Sequence, residues 1–305
     1  MSARRLAALL LPVLLCGAEP AAEPRSVEVG GGQIELQYTP ADFSLSAEGL
    51  ADWVETSARA VASYYGRFPL ERVRLELRDV DGRGVRTGRT ANGSWIQVVI
   101  GRASTRADLR RDWVLTHEMV HLAHPSLASP QHWLEEGLAT YVEPFARLEI
   151  GELPVEEVWN DLVEGLPQGL PRSGDRGLDR TPTWGRTYWG GALFCLLADV
   201  EIHKRTHNAK GLRDALRAIV EAGGTARVSW PIERMLEVGD RATGVPVLAE
   251  LYARMRADPA PVDLDALWRE LGVERHAGSV RFKSDAPLAS VRESISRRAT
   301  PPAGS

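Results

Sequence analysis

Apolar and polar positions alternate over residues 26–38, around the triplet Gly30-Gly31-Gly32, which predicts a hairpin or two short strands. From Ser46 the period lengthens. Leu50, Trp53, Val54, Ala58, Val61 and Tyr64 recur at helical spacing until Gly66, predicting a helix over 46–65. Alternation returns in a strand over 73–77, a loop follows over 79–84, and a second strand spans 95–100. Leu109, Trp113, Val114 and Val120 then predict one long helix over 105–121. Another helix starts at Gln131 or His132 and is expected to stop near Pro144, because proline brings no N–H to the helical ladder.

Beyond Pro144 the character changes. Residues 165–182 are rich in Gly, Pro, Arg and Asp and read as a long surface loop. Helical patterns follow over 187–203, 211–221, 232–237, 246–256 and 264–271, with a short strand over 279–283 and a last helical turn over 290–296. Strands frame the first helix and two helices follow the last of the early strands. This order predicts an α+β core, a small sheet beside the helix ending at His121, and then a helical lobe with the cleft between them.

The end of the 105–121 helix carries the chemistry. His117-Glu118-Met119-Val120-His121 places two imidazoles one helical turn apart on one face, where both reach a single zinc ion. Glu118 lies beside them as the general base for a nucleophilic water, and a third protein ligand leaves the fourth coordination place open. Candidates for that third ligand are Glu135 and Glu136, in the segment WLEEGLATY. They differ by about 100° around a helix, so only one faces the ion. The stripe of Leu134, Leu138 and Val142 leans towards Glu136, with Gly137 permitting close approach, but leaves Glu135 in play. Glu143, seven residues beyond Glu136, returns to the same face and is a candidate to accept the remaining ring proton of a ligand histidine. His124 and His132 are nearby but are expected to cap, line or face solvent. Tyr188, Tyr141, His132 and Arg186 are candidate donors to an oxyanion.

Composition narrows the setting. Two arginines before an apolar run over 6–16, then small residues, form the pattern of a secretory signal peptide over 1–22. Cleavage after Ala18 or Ala22 is favoured over lipid attachment at Cys16, since bulky Leu15 precedes that cysteine. The protein is therefore expected to be exported, periplasmic or extracellular. No second stretch reads as a transmembrane span. With 41 acidic and 37 basic side chains, an evenly mixed surface argues against nucleic acid as the main partner. The glycine triplet lacks the strand–turn–helix context of a nucleotide site. Cys195 stands in the apolar run LFCLLADV and reads as a buried small hydrophobe.

The stretch 113–144 resembles the gluzincin metallopeptidases of the peptidase MA-like superfamily, which includes aminopeptidase N-type enzymes. These carry HExxH on one helix and W-L-x-E-G-x-A on the next, here Trp133-Leu134-Glu135-Glu136-Gly137-Leu138-Ala139. The resemblance implies a thermolysin-like zincin catalytic lobe with a small sheet, followed by a mainly helical lobe. It implies Zn2+ held by His117, His121 and Glu136, with Glu143 in support. Tyr188-Trp189-Gly190-Gly191-Ala192-Leu193 resembles the family's Y-x-K-G-A helix start, which implies Tyr188 as the oxyanion donor, although Gly190 stands where lysine is frequent. Residues 264–296 resemble the C-terminal end of some exported bacterial members more weakly. The expected division is a signal peptide over 1–22, an α/β part with the zinc site over 26–144, a helical lobe completing the cleft over 145–292, and a flexible tail over 293–305.

The family's aminopeptidases present a G-x-M-E-N strand before the zinc helix, whose glutamate grips the substrate's free amine. The corresponding strand is placed here at 91–100, which contains no carboxylate. The expectation is a zinc peptidase acting on peptide or protein substrates but not a strict aminopeptidase. Two other classes compete: a zinc hydrolase of another amide or ester, and a binding or structural protein that keeps the fold with turnover lost. The intact Glu118 speaks against the last, since a scaffold needs no base.

Overall fold

The structure is a computed structural model that describes residues 25–39 and 42–298. The expected signal peptide, with Cys16, and residues 299–305 of the expected tail lie outside the described residues.

Strands β1 (Arg25–Val29) and β2 (Gly32–Gln37) form the expected hairpin. Helix α1 (Ala47–Tyr65) follows, opened by the Ser46 hydroxyl accepting the Gly49 N–H. Its apolar stripe, including Leu50, Val54, Ala58 and Val61, is fully buried. Strands β3 (Arg72–Val80), β4 (Val85–Ala91) and β5 (Trp95–Gly101) complete a five-stranded sheet in the order β1-β2-β3-β5-β4. β2, β3 and β5 run parallel, while β1 and β4 flank them antiparallel.

The loop expected over 79–84 is found at 81–84, since β3 reaches Val80, and the chain then turns back into β4, a strand that was not expected. VRTGRTA carries no apolar alternation because an edge strand is covered on few sides, so periodicity alone did not reveal it. β4 forms this edge of the sheet, and β5 is paired on both sides.

The long helix expected over 105–121 is two helices, α2 (Arg106–Arg110) and α3 (Val114–Val120). The Asp112 carboxylate accepts the N–H groups of Val114 and Leu115, at 2.9 and 3.1 Å, and so starts a new helix where the apolar pattern simply continued. Helix α4 (His132–Glu149) runs through Pro144 instead of stopping there, and passes the border expected at 144 and 145. Every residue from Tyr141 to Glu149 is buried, so packing on all sides outweighs the missing hydrogen bond of the proline.

Helices α5 (Val155–Gly165), α6 (Gly191–Arg205), α7 (Leu212–Glu221), α8 (Ile232–Thr243), α9 (Val247–Met255), α10 (Leu264–Leu271) and α11 (Ala289–Ile295) build the remainder. α5 falls in a stretch for which no element was expected. The hairpin of β6 (Val273–His276) and β7 (Ser279–Phe282) adds a strand beside the expected one. Cys195 is buried as expected. One hydrophobic core runs from Val27 to Ile295 through sheet and helices alike. The architecture is a mixed-sheet lobe followed by a predominantly helical lobe, of thermolysin-like zincin type, as the resemblance implies. No helix among the described residues is long and apolar enough to cross a membrane.

Candidate metal centre

β4 lies directly on α3. Gly88 makes this possible: a Cβ there would stand 2.5 Å from Glu118 Cγ and 2.7 Å from Val114 Cγ1. Glu118 is thereby enclosed against the strand and is only 8% exposed. Two positions along the same strand face, the Thr90 hydroxyl stands 2.8 Å from Glu118 Oε2 and 2.7 Å from the Glu118 carbonyl oxygen.

α4 brings up the third ligand candidate. Its Glu136 turns towards α3 while Glu135 turns away, accepting the Leu127 N–H at 2.9 Å and facing His132 Nδ1 at 3.0 Å. His117 Nε2 is 3.2 Å and His121 Nε2 3.5 Å from the same atom, Glu136 Oε2. Donor atoms of all three side chains lie within 4.8 Å of one another. Ligand atoms around a tetrahedral zinc, with bonds of about 2.0–2.2 Å, stand roughly 3.3–3.6 Å apart. The two distances to Glu136 therefore match a metal ion of that size.

The electrostatics agree with the geometry. Burial would raise the Glu136 carboxyl, but hydrogen bonds from His117 and His121 hold it well below the usual carboxylate range. Burial lowers His117 below the ordinary imidazole value. His121 is also pushed down by burial, yet the Glu136 carboxylate outweighs this and leaves it raised. A positive charge between these three atoms is what the cluster accommodates, and a divalent ion meets the demand of all of them at once.

The remaining ring nitrogen of His121 is held by a relay. His121 Nδ1 is 3.2 Å from His124 Nε2, and His124 Nδ1 is 3.1 Å from the Pro125 carbonyl oxygen. That carbonyl only accepts, so the His124 ring proton lies on Nδ1 and its Nε2 is the acceptor. His121 then donates from Nδ1, so its Nε2, on the side of Glu136, is the nitrogen that a metal ion would take in place of a proton. Burial, reinforced by His121, depresses His124 to about 4 and keeps it neutral near pH 7.

His124, expected to cap, line or face solvent, lines the cleft and is the support of a ligand candidate. One expectation is corrected. Glu143, expected in that role, instead accepts from the Arg147 guanidinium at 2.9 Å and bonds neither histidine ring. The sequence did contain the signal for His124, in the three-residue spacing that returns it to the face of His121. Thr90 gave none, because it belongs to a strand that the apolar pattern did not show.

Of the oxyanion candidates, the structure brings Tyr188 and His132 to the cleft. Tyr188 sits in a π-helical turn (Arg186–Gly190) that precedes α6, its ring stacked beside His117 with centroids 6.4 Å apart. Burial raises its phenol, and the charges of Glu136 and Glu118 add to the rise. His132 Nε2 approaches Glu136 Oε1 at 3.4 Å from an exposed position. Tyr141 is fully buried and donates to Asp199, and Arg186 is buried against Asp175, so neither reaches the centre. The cleft encloses about 530 Å³ between β4, α3, α4 and Tyr188. Along it β4 presents Arg86 and Arg89 and, like the 91–100 segment, no carboxylate.

No protein-family profile matches the chain, and no curated protein is similar to it in sequence. Solved structures are similar in fold. An aminopeptidase N family protein from Idiomarina loihiensis superposes with a TM-score of 0.56 at 14% identity, covering 82% of this chain and 49% of that one. A variant M1 zinc metallopeptidase from Deinococcus radiodurans, bound to a Tyr-Ser-Ala substrate, gives 0.50 at 17% identity, over 79% of this chain and 53% of the other. A two-domain M1 zinc metallopeptidase variant bound to L-tryptophan gives the same values. The chain thus spans about half the length of these proteins. It has the zincin-type fold of the M1 metallopeptidases, with His117, His121 and Glu136 gathered where one metal ion fits.

Proposed function

We propose that the protein is a zinc-dependent peptidase of gluzincin type, exported from the cell, in which His117, His121 and Glu136 hold the ion. The observation that carries this reading is the convergence of two imidazole nitrogens on one carboxylate oxygen, at tetrahedral ligand spacings, beside a buried glutamate. A bound zinc ion supplies Lewis-acid polarisation of the scissile carbonyl and lowers the pKa of water.

The chain's own residues do the rest. Glu118 takes a proton from the attacking water and passes it to the leaving amine. Tyr188, beside His117, donates its phenolic proton in a hydrogen bond to the oxyanion that develops on the carbonyl. β4, as an edge strand along the cleft, offers backbone groups to an extended peptide. The absence of a carboxylate from β4 supports action on peptides without a requirement for a free amino terminus. Metal analysis and a peptide panel test the reading. One zinc per chain with cleavage of internal peptide bonds is expected, lost with the metal in Glu136→Ala and lost with the metal retained in Glu118→Ala. Cleavage restricted to substrates with a free amine refutes action without a free amino terminus, and a metal-free active protein refutes the whole reading.

A further inference from the structure

Glu118 has two neighbours that hold it in place and belong to neither its own helix nor the metal cluster. One is the Gly88 backbone, against which the side chain packs. The other is the Thr90 hydroxyl, with two acceptors in reach: Glu118 Oε2 at 2.8 Å and the Glu118 carbonyl oxygen at 2.7 Å. A hydroxyl has one proton and two lone pairs, so it donates to one of these partners at a time. We propose that Thr90 is a positioning residue for the base, holding the Glu118 carboxyl at the cleft both before and after it takes up a proton. The role in turnover rests on the peptidase reading above.

The chemistry of the two states follows from the two distances. While Glu118 is a carboxylate, Thr90 donates to Oε2, a charge-assisted bond that fixes the torsion of a side chain with freedom to turn. When the water's proton arrives on the other carboxyl oxygen, Oε2 still accepts from the Thr90 hydroxyl. That bond survives in both states, so the acid form stays in place for the leaving amine to collect its proton. A side chain with the same shape and no hydroxyl supports neither state. Because Thr90 lies on the edge strand of the cleft, the base is tied to the strand along which a peptide would pair, not only to its own helix.

The test compares Thr90→Val and Thr90→Ser with the parent in zinc-loaded, full-length protein. Valine keeps the volume and removes the hydroxyl; serine restores it. The expected result is a fall in kcat of roughly ten- to a hundredfold for Thr90→Val, as for loss of a hydrogen bond to a charged group. KM and zinc content should stay at the parental values, and Thr90→Ser should recover most of kcat. Crystal structures of the three proteins supply a readout that needs no activity: the Glu118 carboxyl should leave its place in the valine variant and return in the serine variant. A valine variant with parental kcat, or with Glu118 unmoved, overturns the proposal. If the zinc-loaded parent cleaves no peptide, the peptidase reading fails, while the position of Glu118 in the three structures still decides the role of Thr90.

Discussion

Gly137 and Gly191 meet backbone to backbone, and that contact sets the distance between the two halves of the centre. A Cβ on Gly137 would stand 2.3 Å from Gly191 Cα, and one on Gly191 would stand 2.2 Å from the Trp133 carbonyl oxygen. Gly137 follows Glu136 directly, and Gly191 lies three residues after Tyr188. The crossing of α4 and α6 at these glycines therefore delivers the carboxylate and the phenol to the same cleft. Gly137→Ala is expected to destabilise the fold by about 1–3 kcal/mol, as overpacking does, and to lower kcat by moving Tyr188. Urea unfolding and steady-state kinetics check it; a variant of parental stability and rate would show that the helices separate freely.

Removal of the imidazole at position 124 tests the relay behind His121. His124→Ala leaves His121 Nδ1 without its acceptor and the ring free to turn. Zinc affinity should fall roughly ten- to a hundredfold, the range seen when a ligand histidine loses its supporting partner. Competition with a chelator of known affinity measures it directly, and an unchanged constant would assign His124 to packing alone.

Tyr188→Phe tests the oxyanion role proposed for this residue. The phenol is raised by burial and by nearby carboxylates, so it keeps its proton and remains a donor across the working range of a neutral enzyme. Loss of the hydroxyl should reduce kcat by roughly 10²–10³-fold with zinc content unchanged. A variant that changes KM alone would place Tyr188 in substrate binding instead.

Stability should fall with rising pH through Glu143. Burial pushes this carboxyl up to about 7 from an ordinary 4.5, against the pull of Arg147 and helped by Asp112 and Asp161. The folded chain thus keeps a proton that the unfolded chain gives up near 4.5. The stability from this group is fully present below that value and is lost as pH climbs through about 7. Glu143→Gln cannot ionise, so its unfolding free energy should lack this decline, which can reach at most about 1.4 kcal/mol per pH unit. Urea midpoints of both proteins between pH 4.5 and 7.5 decide it, and parallel curves would disprove the assignment.

The local code of the chain determined the parts that need only neighbours. HEMVH places its imidazoles one turn apart wherever a helix forms, and the apolar stripe of α1 predicts that helix whatever packs on it. The alternation of the segments 26–38 and 95–100 is likewise a local property, and both became strands. The pairing of Glu136 rather than Glu135 with the histidines was favoured by periodicity and decided by the crossing at Gly137.

Tertiary structure decided what depends on residues distant in the chain. β4 is invisible to periodicity because its stability comes from β5 on one side and α3 on the other, and with it Thr90 was hidden. Asp112 breaks a continuous apolar pattern by a side-chain bond that no stripe records. Pro144 stays inside a helix because the core around it outweighs its own preference. Glu143 shares a helix face with Glu136, but a guanidinium one turn away takes its hydrogen bond, and the support of His121 passes to a third imidazole anchored on a backbone carbonyl. Periodicity reports which face of an element is turned inward; which partner waits on that face is settled only when the elements meet.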